Sequence, residues 1–253
     1  MPTPNLYLPP AVPGRIVFTD TEFTTLVDGE RELWEGAIII RDPGEEDLEF
    51  VWQVRPSLAY ASPDSLRIGG YYRRNYLAAH PVGTGLIIAQ TGHFPELKPG
   101  DQLDPDRVVP AAAIAAPIAA ALDGVHLVAA VPDADDLAIG RWLASHDQML
   151  TNHYRHRDIE AMMHAYLLGR RRGLELARAD TVTTSDAPAY ALTLPDTALA
   201  PGMFSPPFDP KPMYAALGVP LLGPGEAHNA MHDCRQVRSA WDVMNDPRSA
   251  TID

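Results

Sequence analysis

Two acidic residues close an apolar run near the start of the chain, and their type and spacing suit metal chemistry. Asp20 and Glu22 follow the run that begins at Arg15. Successive side chains of a β-strand point to opposite faces, so carboxylates two positions apart project from one face and can share a metal ion. Such pairs also occur by chance at solvated strand ends. The pair alone is therefore a weak indication of a metal site.

A second group of acids follows an apolar segment in the middle of the chain. The segment from Val125 to Val131 is predicted to be a buried strand, and Asp133, Asp135 and Asp136 come directly after it. The macrodipole of a helix favours acids in its first turn, so these residues also have a purely structural explanation. Position alone does not decide which of the three has a chemical role.

The third group lies near the end of the chain, where His228 precedes Asp233 by five residues. Five residues correspond to about 140° around an α-helix, so both side chains cannot point inward from one regular helix. We therefore expect His228 to lie on the loop before a helix and Asp233 to lie in the first turns of that helix. His232 is an alternative to His228.

In chain order, five positions resemble the three-motif signature of the DEDD-type 3′–5′ exonucleases, in the subclass that carries a histidine. These positions are Asp20, Glu22, Asp135, His228 and Asp233. The family includes the proofreading subunit of bacterial DNA polymerase III, ribonuclease T and oligoribonuclease. The matching segments are Phe18–Leu26, Val128–Asp135 and Ala227–Cys234. Their order along the chain is more specific than any one of them.

The chain departs from the family pattern in two of the motifs. The family usually has asparagine four residues before the second-motif aspartate and an aromatic residue directly before it, where this chain has Val131 and Ala134. Asp135 is still the best match, and Asp136 stays an alternative. The first motif commonly continues with Thr-Gly-Leu, where this chain has residues 24–26 as Thr-Thr-Leu. This change is tolerable for metal binding but affects how the terminal base is held.

The resemblance implies a metal-dependent 3′–5′ exonuclease that hydrolyses phosphodiester bonds at the 3′ end of single-stranded nucleic acid. It implies two divalent ions, Mg²⁺ or Mn²⁺, with Asp20 bridging both. Glu22 and Asp233 would hold the ion that carries the attacking water, and Asp135 would serve the other. His228 would take the proton from that water, because an imidazole titrates near neutral pH.

The resemblance also implies how substrate is held. Thr21, Phe23, Thr24 and Leu26 would contact the 3′-terminal nucleotide through backbone groups and stacking. DNA and RNA both remain candidates, because a single contact to a 2′-hydroxyl can decide between them. A different class of function is a catalytically weak nucleic-acid-binding or polymerase-accessory module on the same fold. A third is an acidic metal-binding protein without nuclease activity.

Composition narrows the function classes. The formal net charge of −13 argues against broad electrostatic capture of duplex nucleic acid. Carboxylates that hold metal ions add negative charge that the bound ions cancel. The single cysteine, Cys234, excludes an internal disulfide and a cysteine-rich zinc site. The N-terminal residues do not resemble a secretory signal, which predicts a cytoplasmic protein. The apolar stretch from Val108 to Leu122 contains two prolines and predicts a buried helix, so no membrane association is expected.

The predicted elements define the fold class. Strands are expected over Arg15–Thr19, Leu33–Ile40 and Leu48–Val54, followed by helices that alternate with a strand. This order indicates a mixed α/β sheet flanked by helices, and the resemblance implies the ribonuclease H-like fold. Further helices are predicted over three segments. They are 136–146, 159–172 and the last element, 226–245, whose helix is expected to begin near His228.

Residues 1–253 are predicted to form a single domain with an insertion at about 180–225, where proline, glycine and small residues dominate. The chain from Ala59 to His80 has no clear assignment. Basic residues cluster at Arg73–Arg74, Arg155–Arg157 and Arg170–Arg172. The last cluster either contributes to a neighbouring subunit's site in a homodimer or faces solvent.

Overall fold

The computed structural model describes residues 6, 8–153, 155–180, 209–223 and 226–245, with the side chains of residues 171–180 excepted. The chain divides into two compact units. The first is Met1–Arg157 with Gly223–Arg235, and the second is Asp158–Leu222 with Gln236–Asp253. Residues 181–208, most of the segment expected to be an insertion, lie outside the described part. The single domain with an insertion therefore stays a prediction.

A seven-stranded mixed sheet is formed by the described residues. Its strands are β1 Ile16–Phe23, β2 Leu33–Arg41, β3 Leu48–Val54, β4 Thr84–Gln90, β5 Val108–Pro110, β6 His126–Ala129 and β7 Arg157–Asp158. Their order in the sheet is β5-β4-β3-β2-β1-β6-β7. β1 is antiparallel to β2 and parallel to β6, and β2 to β5 pair antiparallel in turn. The predicted α/β class with a mixed sheet is confirmed, and the three opening strands are consistent with a ribonuclease H-like arrangement.

Helices flank the sheet in the first unit, and the second unit also contains helices. They are α1 Pro63–Ile68, α2 Tyr71–Arg74, α3 Ala111–Ala121, α4 Pro132–Ala144, α5 Ile159–Asp180, α6 Pro210–Ala216 and α7 Ala230–Asn245. In the second unit, α5 packs against α6. α6 lies within the segment expected to be an insertion, so residues 210–216 of that segment are helical. Across the described segments, no helix has both the length and the apolar character that a membrane crossing requires.

Several element boundaries differ from the predictions for identifiable reasons. β1 continues past Thr19 to Phe23, because its pairing with β2 extends to Leu33. The helix predicted from Val108 begins only at Ala111, because residues 108–110 form a short strand that pairs with β4. The sequence did not predict β4 itself. α4 begins at Pro132, a residue whose fixed φ suits the first helical position.

The apolar core of the first unit lies between the sheet and helices α3 and α4. Val17 and Ile38 from the strands and Ile114 and Ile139 from the helices are fully buried there. Gly36 is required by this packing, because a Cβ there would lie 2.3 Å from the Trp52 ring. Val17, Thr19 and Thr21 share the helix-covered face of β1, so Asp20 and Glu22 project from its other face.

Candidate functional site

Strand β1 carries Asp20 and Glu22 to one face of the sheet. In the pairing of β1 with β2, Asp20 lies opposite Ala37 and Glu22 lies opposite Glu35. Because the two acids are two positions apart on a paired strand, backbone hydrogen bonds fix their separation and direction. The same-face placement expected from the spacing is present.

Helix α7 brings Asp233 to this pair. One oxygen each from Asp20, Glu22 and Asp233 lies within 4.8 Å of the others, and we call these three residues the carboxylate cluster. Asn229 caps α7, since its Oδ1 accepts a hydrogen bond from the His232 N–H at 3.2 Å. The Asn229 N–H in turn donates to Asp233 Oδ2 at 3.1 Å. This reciprocal cap holds Asp233 in the first turns of the helix, as expected.

Burial and mutual repulsion act on the carboxylate cluster. Burial raises the pKa of Asp20 well above its ordinary value, and the charges of Asp135 and Asp233 raise it further. Burial also raises the pKa of Glu22 to about 9, and Glu35 is the neighbouring acid that contributes most. The pKa of Asp233 is raised by burial as well. Three acids with raised pKa values at one place favour a compensating positive charge.

Asp135 lies beside the cluster but is not one of its members. It is in the first turn of α4, is only 4% exposed, and its Oδ1 accepts a hydrogen bond from the Thr21 hydroxyl at 2.6 Å. Burial raises the pKa of Asp135 to about 7, although hydrogen bonds from Thr21 act in the opposite direction. The Thr21 hydroxyl therefore ties Asp135 to β1, and Asp135 is the neighbouring acid that raises the pKa of Asp20 most.

The two other acids of this segment have different partners. His156 Nδ1 lies 3.2 Å from Asp133 Oδ1, and His156 Nε2 lies 3.3 Å from Asp136 Oδ1. Asn152 also donates to Asp136 Oδ1, at 2.8 Å. Of the three alternatives left open by the sequence, Asp135 is the one that contacts β1.

His228 lies on the loop before α7, as expected from its spacing to Asp233. Its φ of 61° is in the left-handed region, which is uncommon for a residue with a side chain. Among neighbouring charges, that of His228 does most to lower the pKa of Asp233. The His228 ring has no hydrogen-bond partner among the described residues, whereas His232 Nδ1 lies 3.3 Å from the Glu226 carbonyl oxygen. Of the two candidate histidines, His228 is thus the one whose ring has no hydrogen-bond partner in the described part of the chain.

No protein-family model, curated protein or solved structure matches this chain. The donor atoms of the cluster indicate which kind of ligand it suits. The carboxylate cluster offers only oxygen atoms, which Mg²⁺, Mn²⁺ and Ca²⁺ prefer. Its charges are close together and partly buried, so a divalent cation would relieve their repulsion. The cluster could hold a metal ion.

Glu35 is a residue of this site that the sequence reasoning missed. It is 3% exposed, and its Oε1 accepts hydrogen bonds from Arg74 Nη1 and, at 3.2 Å, from the Ala230 N–H. Its Oε2 accepts from Gln53 Nε2 at 2.8 Å. Glu35 therefore joins β2 to the first residue of α7. Only the strand register, which places Glu35 opposite Glu22, connects it with the first motif.

Arg74 connects Glu35 with the loop before α7. Besides its ion pair with Glu35, it donates through Nη2 to the Gly69 carbonyl oxygen at 2.6 Å and to the His228 carbonyl oxygen. Gly69 in turn lies against the carboxylate cluster, since a Cβ there would be 2.7 Å from Glu22 Oε2. Arg74 belongs to a basic pair noted in the sequence, but nothing in the sequence assigned it to this site.

The residues expected to contact substrate have mixed environments. Thr21 is buried and bound to Asp135. The Arg31 guanidinium lies over the Phe23 ring at 4.4 Å, and the Thr24 hydroxyl accepts a hydrogen bond from the Glu32 N–H at 3.2 Å. Leu26 is 71% exposed. Of the four expected residues, Leu26 is the one whose side chain is freely accessible.

A cavity adjoins the Glu35–Arg74 pair. Its volume is about 290 Å³, and Tyr76, Lys98 and Asn229 also line it. The exposed ring of Tyr72, which is 70% accessible, lies on the same short helix as Arg74. This part of the first unit therefore offers both aromatic and basic groups close to the acids.

Proposed function

We propose that this protein is a metal-dependent 3′–5′ exonuclease of the DEDD type that acts on single-stranded nucleic acid. The observation that carries the proposal is the meeting of Asp20, Glu22 and Asp233 within 4.8 Å, from the first and last motifs of the chain. An unengaged His228 ring directly before the helix that carries Asp233 supports it. The motif order, taken with this meeting, favours a nuclease over an acidic protein that merely binds metal.

The carboxylates have separate proposed tasks. Asp20, Glu22 and Asp233 would hold one divalent ion, Mg²⁺ or Mn²⁺, and Asp135, whose charge also acts on Asp20, would serve a second. When bound, such ions neutralise charge on the attacking and leaving oxygens of a phosphodiester. The chain's own contribution is to keep these acids close together despite their repulsion, which the β1 backbone and the cap of α7 do.

His228 is the proposed general base. A neutral imidazole accepts a proton near neutral pH, and removal of a general base typically slows turnover by about 10²- to 10⁴-fold. We expect His228→Ala to lower turnover by this factor and His232→Ala to lower it far less, because His232 is held by the Glu226 carbonyl. Single-turnover rates on one oligonucleotide measure both. The opposite ranking would overturn the assignment.

The proposed substrate is a single-stranded 3′ end, of DNA or RNA. Exposed side chains at Leu26 and Tyr72 suit contacts to unpaired bases, because every base has a face on which an aromatic or apolar group can stack. Lys98 in the adjoining cavity suits a backbone phosphate. The formal net charge of −13 does not suit binding of a nucleic-acid duplex over a large surface, because both carry negative charge.

Degradation of labelled oligonucleotides tests the proposal. Matched single- and double-stranded DNA and RNA are incubated with the protein and Mg²⁺ or Mn²⁺. We expect single nucleotides to be released from the 3′ end, and Asp20→Ala to abolish release. Asp133→Ala is the matched control, since Asp133 is an exposed acid outside the carboxylate cluster. An oligonucleotide that is bound but left intact would support the binding-module alternative instead.

A further inference from the structure

Three arginines line one cavity of the first unit, away from the carboxylate cluster. The cavity has a volume of about 280 Å³, and Arg31, Arg55, Arg141 and Trp142 contribute to its walls. Each of these side chains has a buried N–H without a hydrogen-bond partner in the described part of the chain. These atoms are Arg31 Nε, Arg55 Nε, Arg141 Nη1 and Trp142 Nε1. Buried donors are paired in the great majority of cases, so four unpaired donors around one cavity point to a missing acceptor.

The partners that these arginines do have leave most of their charge uncompensated. Arg55 donates to neutral oxygens, the Tyr71 hydroxyl at 2.8 Å and the Pro56 carbonyl at 3.1 Å. Arg31 pairs at 3.2 Å with Asp28, whose side chain is 78% exposed, so solvent screens this pair. It also donates to the Leu26 carbonyl oxygen at 3.1 Å, and its charge lowers the pKa of Asp135, so Arg31 is the most compensated of the three. The Arg141 side chain has no hydrogen bond or ion pair with any described residue.

The acid among the described lining residues, Glu32, is engaged elsewhere. Its carboxylate accepts hydrogen bonds from the Ser57 N–H at 2.8 Å, the Ser57 hydroxyl and the Leu58 N–H at 3.2 Å. Glu32 therefore stabilises the chain after β3 and does not pair with the arginines. The result is a cavity with a surplus of positive charge in a chain whose formal net charge is −13.

We propose that this cavity binds a small organic phosphate monoester. Guanidinium groups match phosphate oxygens in geometry and charge. A monoester carries close to two negative charges at neutral pH, which balances Arg55 and Arg141, while Arg31 is offset in part by Asp28. A singly charged carboxylate would balance only one of them.

The remaining wall of the cavity suits the organic part of such a ligand. Leu33 and Val54 are apolar, and Trp142 adds an aromatic ring with a free N–H. Binding cavities are mostly apolar with a few polar groups that fix orientation, and a volume of about 280 Å³ suits a small molecule. No member of the carboxylate cluster lines this cavity, so the proposal does not depend on nuclease activity.

Calorimetric titration of the full-length protein with phenyl phosphate tests the proposal. EDTA is present throughout, so that no metal ion bound by the carboxylate cluster attracts the phosphate. We expect saturable binding of one molecule per chain, no binding of phenol, and weaker binding of benzoate. Absence of saturation up to roughly 10 mM, or benzoate binding more tightly than phenyl phosphate, would overturn the proposal.

Variants locate the binding. Arg141→Gln should weaken phenyl phosphate binding at least about 10-fold, because a hydrogen bond to a charged group is lost. Arg73→Gln removes the same charge from an exposed position and should change the affinity less than about 3-fold. Asp20→Asn should bind as the wild type does. Equal effects of the two arginine variants, or loss of binding in Asp20→Asn, would place the binding elsewhere.

A second substitution at Arg141 tests the proposal if the first variant does not fold. If circular dichroism shows that Arg141→Gln is unfolded, Arg141→Lys keeps the charge but loses the planar guanidinium and should still weaken binding several-fold. A folded Arg141→Lys variant with wild-type affinity would contradict the proposed role of the guanidinium.

Discussion

Replacing Glu22 by glutamine should stabilise the metal-free protein, although it removes a proposed functional group. The pKa of Glu22 is raised from 4.5 to about 9, first by burial and then by the charge of Glu35. A carboxyl whose folded-state pKa lies above its unfolded value destabilises the folded state once it must ionise. Glutamine has nearly the same shape and carries no charge, so it avoids this cost.

The size of the effect follows from the two pKa values. The cost begins above pH 4.5 and grows by about 1.4 kcal/mol per pH unit until the pH passes about 9. At pH 7 this reaches about 3 kcal/mol for an isolated group. Because Glu22 is partly exposed and shares its titration with Asp20, we expect the Glu22→Gln variant to gain about 1–3 kcal/mol at pH 7. For a chain of this length the gain corresponds to a rise in Tm of roughly 2–12 °C.

Thermal unfolding in EDTA at several pH values measures the gain. The difference in Tm between Glu22→Gln and wild type should be near zero at pH 4.5 and should increase steadily towards pH 9. Adding Mn²⁺ should then raise the Tm of the wild type more than that of the variant. The variant lacks one of the three carboxylates of the cluster, so it binds the ion more weakly, and binding to the folded state is what adds stability. At 100 times the Kd, the metal should add about 2.7 kcal/mol to the wild type.

The control is Glu30→Gln, which removes an exposed carboxylate and should change the free energy of unfolding by less than about 0.5 kcal/mol. A Glu22→Gln variant that is less stable than the wild type in EDTA at pH 8 would refute the reasoning. So would a difference in Tm that shrinks as the pH rises, because the sign of the titration would then be wrong.

Three further substitutions test the surroundings of the cluster. Gly69→Ala adds a Cβ 2.7 Å from a carboxylate oxygen of the cluster and should weaken Mn²⁺ binding in a calorimetric titration, whereas Gly140→Ala, whose Cβ meets its neighbours at 3.7 Å or more, should not. Tyr72→Ala removes an exposed ring and should raise the KM for a single-stranded oligonucleotide about 5- to 100-fold with little change in kcat. Asp135→Asn should lower turnover more than Asp136→Asn, because Asp135 is buried against β1 while Asp136 is held by a neighbouring amide.

Local patterns were sufficient to predict part of this site. The period of two in a strand placed Asp20 and Glu22 on one face, and the period of 3.6 in a helix placed His228 before α7 and Asp233 within it. Both inferences require only the conformation of a few consecutive residues. They hold whether or not the distant parts of the chain are known.

Features that depend on pairing between distant segments could not be predicted in this way. The role of Glu35 follows from the register of β2 against β1 and from contacts with α2 and α7. The strand at Val108–Pro110 exists because it pairs with β4, although its residues also suit the start of a helix. The meeting of Arg31, Arg55 and Arg141 at one cavity likewise joins three segments that are distant in sequence. None of these has a local signal.

The carboxylate cluster is hard to explain as a solvated strand end. Solvated acids would keep ordinary pKa values, yet the main influences on Asp20 are burial and four neighbouring acids, all of which raise its pKa. The nearby Arg74 forms its ion pair with Glu35 and donates to two carbonyl oxygens of the chain. Arg74 thereby links Glu35 with the His228 carbonyl, and although its charge lowers the pKa of Glu22, no positive group is among the main influences on Asp20.

In the cavity lined by Arg31, Arg55 and Arg141 the signs of charge are reversed. The acid on its wall, Glu32, accepts hydrogen bonds from backbone and hydroxyl donors, while each of the three guanidinium groups has a nitrogen without an acceptor. In each case the group of opposite charge nearest the site has other hydrogen-bond partners, Arg74 with Glu35 and two carbonyl oxygens, and Glu32 with Ser57 and Leu58. Buried charge without a partner lowers the free energy of unfolding of the free protein. Binding of a ligand of opposite charge raises that free energy again. Ligands of opposite charge should therefore both stabilise the protein: divalent cations through the acids, and phosphate monoesters through the arginines.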